Sequence, residues 1–264
     1  IRQAYLTFGD ASWGTIKAGR DLGIFGSDAI LSDMTLLGVG TGTQLAGGSS
    51  TLGRIGSGYL YADWLAQLQY QTPNFNGFQA TVAVQEALGQ VDNSNLGYAG
   101  KVTYDFAAND VTGRVWVSGI SQDTQSAAVA SSSTWVQTAA TVGSTVTTAA
   151  VASSSNTAEA WDIGAKVAYQ GAQLVGYYYD GDGLDSQNTL LQGLFNANGE
   201  KSKDSGGYVQ ATFTVPGVGT KLGASWGESN ASFGSVNATT ETWIVAAYHP
   251  LTKSLNLVAE YANA

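Results

Sequence analysis

The sequence predicts an all-β fold, a transmembrane antiparallel up-and-down β-barrel. Three observations lead to this prediction: apolar and polar residues alternate along many segments, the segments match a strand that crosses a bilayer, and short and long connections take turns along the chain. Charged residues make up 12% of the 264 residues, about half the roughly 25% of an average globular protein. Uncharged polar residues and 34 glycines fill the difference.

Two segments show the alternation clearly. In residues 64–72, Leu68 lies between Gln67 and Gln69, and in residues 78–85 Val82 follows Thr81. The same device recurs in residues 98–106, 111–117, 161–169, 221–226 and 255–261. Successive side chains of a strand point to opposite faces of its sheet, so one face of this sheet should be apolar and the other polar.

The length of the segments favours a membrane barrel. Most of the strands predicted around these segments span about 9–11 residues, the length that a tilted strand needs to cross a bilayer. Aromatic residues recur near the segment ends, where interfacial girdles are expected: Trp13, Trp64, Tyr104, Phe106, Trp161, Tyr169, Trp226, Trp243, Tyr248 and Tyr261. A soluble β-sandwich also alternates, so the alternation alone does not separate the two folds.

The connections separate them. Short turns are predicted near 9–12, 74–77, 107–110, 169–172, 215–219 and 249–253, and long loops at 21–58, 87–97, 121–159, 181–206 and 228–240. An outer-membrane barrel has tight periplasmic turns and long extracellular loops, whereas a sandwich has no reason to keep every second connection short. The resulting twelve strands lie at about 2–8, 13–20, 60–72, 77–86, 97–107, 110–120, 160–169, 172–180, 206–215, 219–227, 240–248 and 253–262.

The twelve strands are expected to form one barrel domain over residues 1–264. Ile1 begins inside a strand, and no strand-closing aromatic terminus follows Tyr261. Open edges in lipid would leave unpaired backbone groups at a cost of several kcal/mol each. We therefore expect further strands before Ile1 and after Ala264, or a partner edge.

Composition and charge exclude several function classes. The net charge of −9 argues against nucleic acid as a partner. The absence of cysteine excludes a Cys-based zinc site, and a single histidine, His249, supports neither a metal site nor a Ser-His-Asp arrangement. We therefore expect no enzyme activity and no cofactor. The stretch DGDGLD offers Asp180, Asp182 and Asp185 as a weak calcium candidate, but its spacing does not match an EF-hand loop.

Three stretches resemble the general porins of Gram-negative outer membranes. RQAYLTFGDASWGTIKAGRD (2–21) resembles a strand–turn–strand of that family, and SDAILSDMTLLG (27–38) resembles the start of the loop that folds into the barrel. GRIGSGYLYADWLAQLQYQTPNFNGFQATVAVQE (53–86) resembles the strand pair that follows, including its P-N-F-x-G-F turn. The resemblance is specific over residues 1–86; beyond them it depends on the spacing of the strands and on the stretch DIGAKVAY (162–169).

The resemblance implies a sixteen-strand barrel, usually a homotrimer, surrounded by outer-membrane lipid and lipopolysaccharide. In that register Ile1 falls in the fourth strand and Tyr261 in the fifteenth, so four strands would lie outside this chain. The predicted loop 21–58 would narrow the barrel from inside.

Candidate site residues follow from the resemblance and from parity. Arg2 matches a wall arginine of the constriction, Asp33 an acidic loop residue, and Arg54 the G-R where the loop leaves the barrel mouth. Lys17 has lumen-facing parity, Arg20 has the opposite parity but ends its strand and is expected to turn inward, and Asp28 is a further loop acid; the constriction set is Arg2, Lys17, Arg20, Asp28, Asp33 and Arg54. Parity assigns the lumen lining to Gln67, Gln69, Lys101, Arg114 and Lys166.

Two departures from the family pattern predict a weaker transverse field than usual. Leu36 and Leu37 stand where many members place a second loop acid, and Ala62 stands where they place an arginine.

The predicted function is passive diffusion of ions and small hydrophilic solutes. Fourteen of the twenty acidic residues lie in or beside the predicted long loops, which should enrich cations at the outer mouth and give a mild cation preference. Two alternatives stay open. One is a sugar-selective channel with an aromatic track at Tyr177, Tyr178 and Tyr179 or at an inward Trp116; the other is a structural or adhesive barrel that uses residues 121–159.

Overall fold

The computed structural model describes residues 1–38, 53–87, 96–126, 132–138, 141–148, 154–184 and 200–263. The strands are β1 Ala4–Asp10, β2 Gly14–Leu22, β3 Trp64–Gln71, β4 Phe78–Glu86, β5 Leu96–Ala108, β6 Val111–Ser126, β7 Ser132–Thr138, β8 Thr141–Thr148, β9 Ser154–Tyr169, β10 Ala172–Asp182, β11 Lys203–Thr214, β12 Lys221–Phe233, β13 Val236–Pro250 and β14 Asn256–Asn263. A short helix, α1, spans Ser27–Ser32, and a 3-10 helix spans Met34–Leu37. Neither helix, nor any other in the described ranges, is long and apolar enough to span a membrane.

Twelve of the strands form one antiparallel sheet in which neighbours in sequence are neighbours in space. Its order is β1-β2-β3-β4-β5-β6-β9-β10-β11-β12-β13-β14, and β7 pairs only with β8 in a separate hairpin. β1 and β14 form the two edges of the sheet. Each of the twelve predicted strands corresponds to one strand of this sheet, so the predicted all-β, up-and-down architecture is confirmed.

The connections differ from the prediction in three places. The predicted loop 121–159 contains β7 and β8, and β6 and β9 extend into it to Ser126 and from Ser154. The predicted loop 228–240 is wrong, because β12 runs on to Phe233 and β13 starts at Val236, with Gly234 in the left-handed region (φ 60°) at the turn between them. Residues 21–58 contain the two short helices, which no helical periodicity in the sequence indicates. The pairing of β12 with β13 continues past the point where apolar and polar residues stop alternating, because the backbone hydrogen bonds between strands do not require an apolar face.

The two faces of the sheet are chemically opposite. Leu68, Val82 and Val102 are exposed on the outer face at 57%, 56% and 50% of their surface. The residues that alternate with them, such as Gln67 and Thr81, are buried on the inner face. The inner face carries further buried polar side chains, namely Gln69, Gln85, Thr103, Ser118, Gln122, Asp162, Gln210, Thr212, Ser225, Ser229 and Thr242. This is the reverse of a soluble protein, in which large apolar patches are buried.

The connection between β2 and β3 folds onto the inner face. We call its described residues 23–38 and 53–63 the inner segment. Phe25, Ala29 and Leu60 of this segment are buried in one cluster with Trp116 and Tyr208 of the wall. The apolar core of the protein thus lies inside the sheet, between the inner segment and the wall.

Candidate functional site

Polar side chains of the inner wall bind the backbone of the inner segment. On β9, Asp162 Oδ2 accepts from the N–H of Gly26 at 3.0 Å. On β11, the hydroxyl of Tyr208 donates to Ala29 O at 2.7 Å. Also on β11, Gln210 donates to Ser32 O at 2.9 Å and accepts from Met34 N at 2.8 Å; on β12, Ser229 Oγ accepts from Gly58 N at 2.9 Å. Because these contacts are to backbone groups, they fix the path of the inner segment across three strands of the wall.

Asp33 is the polar centre of the inner segment. Its side chain caps the 3-10 helix by accepting from Thr35 N at 2.9 Å and from Thr35 Oγ1 at 2.7 Å. Its other oxygen accepts from Arg54 N at 2.9 Å and from the hydroxyl of Tyr59 at 2.6 Å. Burial, together with the charge of Asp33, raises the pKa of Tyr59 well above its ordinary value, so the phenol stays protonated and remains a donor. Asp33 is therefore buried within the segment. The sequence had led us to expect that it presents its charge to an open lumen, and it does not.

Arg54 is fully buried against the wall. Its Nη2 donates to Thr242 O at 2.9 Å, and its guanidinium carbon lies 5.7 Å from the centre of the Tyr208 ring. Its Nε and Nη1 have no hydrogen-bond partner. Burial lowers the pKa of Arg54, and the nearby charge of Asp33 partly offsets this shift. The expected position at the barrel mouth is thus corrected: Arg54 fastens the inner segment to β11 and β13.

Gly227 makes room for that arginine. A Cβ atom at position 227 of β12 would lie 2.0 Å from Arg54 Nη1 and 2.7 Å from Ser57 O. A side chain of any size at position 227 is therefore incompatible with the observed position of the Arg54 guanidinium.

Asp28 of α1 joins two cations of the wall. Its Oδ2 lies 2.6 Å from Nζ of Lys101 on β5, and its Oδ1 lies 3.0 Å from Nη1 of Arg114 on β6. Arg114 also holds Asp105 with two parallel bonds, from Nε at 2.6 Å and from Nη2 at 2.8 Å. The structure therefore brings Asp28 together with Lys101 and Arg114, a contact that parity and resemblance had not indicated.

The remaining candidates lie on or near β2. Lys17 pairs in register with Gln69 on the inner face, forms an ion pair with Asp21 at 2.5 Å, and lies 4.7 Å from the centre of the Tyr5 ring. Arg20 pairs with Ala66, on the parity of the outer face, and is exposed. Its expected inward turn is wrong, because regular pairing continues past it to Leu22 and keeps strict alternation. Arg2 is exposed and precedes β1.

The predicted lumen-lining residues share the inner face. Gln67 and Gln69 are buried, Gln67 donates to Leu22 O at 2.9 Å, and Lys166 is half-buried. Among the weak calcium candidates, Asp185 lies outside the described residues. No group of three or more His, Cys, Asp or Glu side chains able to hold a metal ion occurs in the described part of the chain.

The aromatic residues of the wall are covered. Trp116, Tyr177 and Tyr179 point inward as their parity predicts, whereas Tyr178 is exposed on the outer face. The ring of Tyr177 lies 6.5 Å from Trp116 and 5.8 Å from Tyr208, centre to centre. All of these inward rings are buried beneath the inner segment, so they are packing residues of its docking site.

The sequence did not single out the side chains that dock the segment. These side chains, Asp162, Tyr208, Gln210 and Ser229, all have inward parity, which the sequence shows. No local pattern marks them as partners of a segment that lies more than 130 positions away in every case. Gly227 is one of 34 glycines and carries no signal of its own.

An apolar outer face, a polar inner face and a segment folded against the inside define a channel-type barrel of the bacterial outer membrane. The chain belongs to the Gram-negative porin family, whose model matches residues 1–264. Its family and fold are those of a porin channel.

Solved structures of outer-membrane proteins share this fold. OmpT of Vibrio cholerae, in its in-vitro folded trimer form, superposes with a TM-score of 0.63 at 14% identity over 99% of this chain and 69% of its own length. Outer-membrane expressed OmpT of the same species gives a TM-score of 0.60 at 14% identity, over 99% and 69% of the two chains. An anion-selective porin from Comamonas acidovorans gives 0.57 at 14% identity, over 98% of this chain and 65% of that one. Among curated protein sequences, none matches this chain.

Proposed function

We propose that this porin forms a water-filled channel for passive diffusion of ions and small hydrophilic solutes. The observation that carries the proposal is the reversed sheet, with exposed Leu68, Val82 and Val102 outside and polar side chains inside. Lipid would solvate the first face and water the second. No chemistry on the solute is required, and we infer neither a catalytic role nor a cofactor.

The inner segment would act as the constriction. It occupies space inside the sheet and is docked by side chains of β9, β11 and β12, so the open passage would lie beside it rather than through the full width of the barrel. We retain residues 21–58 as the constricting loop, with Arg2, Lys17 and Asp28 as the candidate charges nearest the passage. The ion pairs Lys17–Asp21 and Asp28–Lys101 neutralise much of this charge locally, which supports a weak transverse field.

We propose a mild cation preference. The chain carries 20 acidic and 11 basic residues, and the acids are concentrated toward the predicted loops. Such a charge raises the local cation concentration within a Debye length of about 8–10 Å. The porin from Comamonas acidovorans is anion-selective, but that selectivity is a property of that protein, since 14% identity supports a common fold only.

We further propose that the protein is a homotrimer in contact with outer-membrane lipid and lipopolysaccharide. One OmpT structure of Vibrio cholerae is described as a trimer form, which supports the proposal by likeness of fold.

Conductance of the full-length protein in a planar bilayer tests the function. We expect stepwise conductance and, in a KCl gradient, a zero-current potential on the cation-selective side. Blockage by low concentrations of a sugar would favour the sugar-selective alternative, and an absence of any conductance would favour a structural or adhesive barrel.

A further inference from the structure

Three polar side chains of the inner wall line one recess and have no hydrogen-bonding partner there. Thr112 on β6, Lys166 on β9 and Gln173 on β10 make no hydrogen bond or ion pair with any described residue. They line one recess of about 330 Å³, together with Asp105, Gly113, Arg114 and Ala168. A recess of this size is at the lower end of small-molecule sites.

The charge around this recess is unbalanced. Asp105, Arg114 and Lys166 form one row across β5, β6 and β9, with Arg114 directly opposite both of the others. Arg114 holds Asp105 with two bonds and shares Asp28 with Lys101. Three cations thus face two carboxylates. Lys166 lies within electrostatic reach of Asp105 but makes no ion pair with it, since Arg114 binds both oxygens of that carboxylate. Two cations directly opposite each other in a sheet repel, so an anion beside Lys166 would relieve an existing strain.

The donors are of the kind that recognise an oxyanion. Lys166 supplies an ammonium group, Gln173 an amide N–H and Thr112 a hydroxyl, and the guanidinium of Arg114 forms the side wall of the recess. Thr112 and Gln173 both pair with Ala168, from the two neighbouring strands, and Ala168 is the next inward-facing residue of β9 after Lys166. The side chain of Ala168 is only a methyl group, so it leaves space between Thr112 and Gln173. The recess meets the docked inner segment at Arg114, which binds Asp28, and extends away from it, since Thr112 and Gln173 lie toward the short turns of their strands.

A neighbouring recess is balanced and serves as a contrast. It shares Thr112, Ala168 and Gln173, has a volume of about 380 Å³, and is lined by Asp110 and Lys221. Lys221 there lies 4.9 Å from the centre of the Tyr248 ring, and Asp110 accepts from Gln170 at 3.3 Å. Of these two recesses, the one at Lys166 combines free donors with surplus positive charge.

We propose that the recess formed by Thr112, Lys166 and Gln173 is a binding subsite for small oxyanions, either phosphate or the carboxylate of a small organic acid. The subsite rests on the proposed channel function, because its ligand reaches it from the lumen. It is compatible with a mild cation preference, since one subsite on the wall does not set the sign of the whole field. Its role is to hold an anionic solute transiently beneath the inner segment.

Titrating the full-length channel with inorganic phosphate and, separately, with acetate tests the subsite. In a planar bilayer in dilute KCl, an anion that binds the subsite should lower the chloride current until the block saturates. We expect this of phosphate, of acetate or of both. Lys166→Gln should raise the half-blocking concentration about tenfold, the loss expected for one hydrogen bond to a charged group. The conservative Lys166→Arg should retain most of the block, which guards against a folding defect. Lys253→Gln, in the exposed turn between β13 and β14, removes the same charge elsewhere and should leave the block unchanged.

A second pair of variants separates a subsite from a diffuse charge effect. Thr112→Val and Gln173→Leu change no charge, so the zero-current potential in KCl alone should stay as in the wild type while phosphate or acetate block weakens severalfold. A saturating effect of phosphate alone, or of acetate alone, identifies the source of the oxyanion. A conducting channel that neither anion blocks, or equal half-blocking concentrations in Lys166→Gln and Lys253→Gln, would overturn the subsite and leave the channel function intact. A protein without conductance would overturn both.

Discussion

Replacing Gly227 by alanine should release Arg54 from the inner wall. The new Cβ atom would lie 2.0 Å from Arg54 Nη1, 2.7 Å from Ser57 O and 2.8 Å from Tyr208 Cβ. Two of these atoms belong to backbone or to the root of a side chain and cannot turn away. Arg54 and the chain around Ser57 must therefore move together.

The size of the effect follows from the contacts that Arg54 would lose. Its hydrogen bond to Thr242 O, from a charged donor, contributes about 1.5–3 kcal/mol, and its position over the Tyr208 ring about 0.5–2 kcal/mol. Together they stabilise the docked inner segment by about 2–5 kcal/mol, so the ratio of docked to undocked forms should fall roughly thirtyfold or more.

Cysteine labelling measures that ratio directly, because the chain contains no cysteine of its own. A Leu60→Cys side chain, at a position of the inner segment that is buried when the segment is docked, should react with a small water-soluble thiol reagent much faster when Gly227→Ala is also present. Single-channel recordings of Gly227→Ala should show added conductance levels. Gly176→Ala is the matched control, since a Cβ atom there has nothing within 4 Å. Equal labelling rates and equal current traces for Gly227→Ala and Gly176→Ala would refute the conclusion that Arg54 holds the inner segment against the wall.

Three further predictions concern single residues. Tyr59→Phe should lower the thermal unfolding temperature in detergent, because it removes a hydrogen bond to buried Asp33 worth about 1.5–3 kcal/mol. Asp28→Asn should shift the zero-current potential in a KCl gradient toward anions, because it leaves Lys101 and Arg114 with less carboxylate charge to balance them. Val82→Arg, at the middle of β4 on the outer face, should lower the free energy of unfolding in lipid by about 2–4 kcal/mol, measured by urea titration.

Each of these predictions has a control on the same protein. Tyr178→Phe removes a hydroxyl on the outer face and should leave the unfolding temperature nearly unchanged. Asp10→Asn removes a carboxylate at the exposed end of β1 and should leave the zero-current potential in place. Gln79→Arg, on the inner parity of β4, should unfold like the wild type. A variant and its control that behaved alike would contradict the corresponding contact.

The sheet was predictable because its signal is local. Alternation with a period of two assigns each residue of a strand to a face, and Leu68 and Gln67 lie on the faces that their parity predicts. The extension of β12 and β13 to Phe233 and Val236 was not predictable in the same way. Those residues no longer alternate between lipid and water, yet backbone pairing continues through them.

The sequence predicted that a segment folds into the barrel, but not which wall residues it contacts. Gly26 contacts Asp162 across 136 positions, and Arg54 contacts Thr242 across 188. Such pairs depend on how far the sheet curls round, which no short stretch encodes. Asp33 and Arg54 were expected at the constriction because the sequence shows their charge and not their distant partners. Burial, hydrogen bonds and the space left by Gly227 of β12 decide where they lie.

The most direct test of the account asks which solvent each face of the sheet meets. Nitroxide labels on single cysteines at Phe78, Gln79, Gln173 and Leu174, in the full-length protein in lipid vesicles, report contact with dissolved oxygen in lipid or with a water-soluble nickel complex. We predict that labels at positions 79 and 173 contact the nickel complex and that labels at 78 and 174 contact the lipid-dissolved oxygen. Labels at 78 and 174 that met water, with those at 79 and 173 in lipid, would contradict the orientation on which the channel depends.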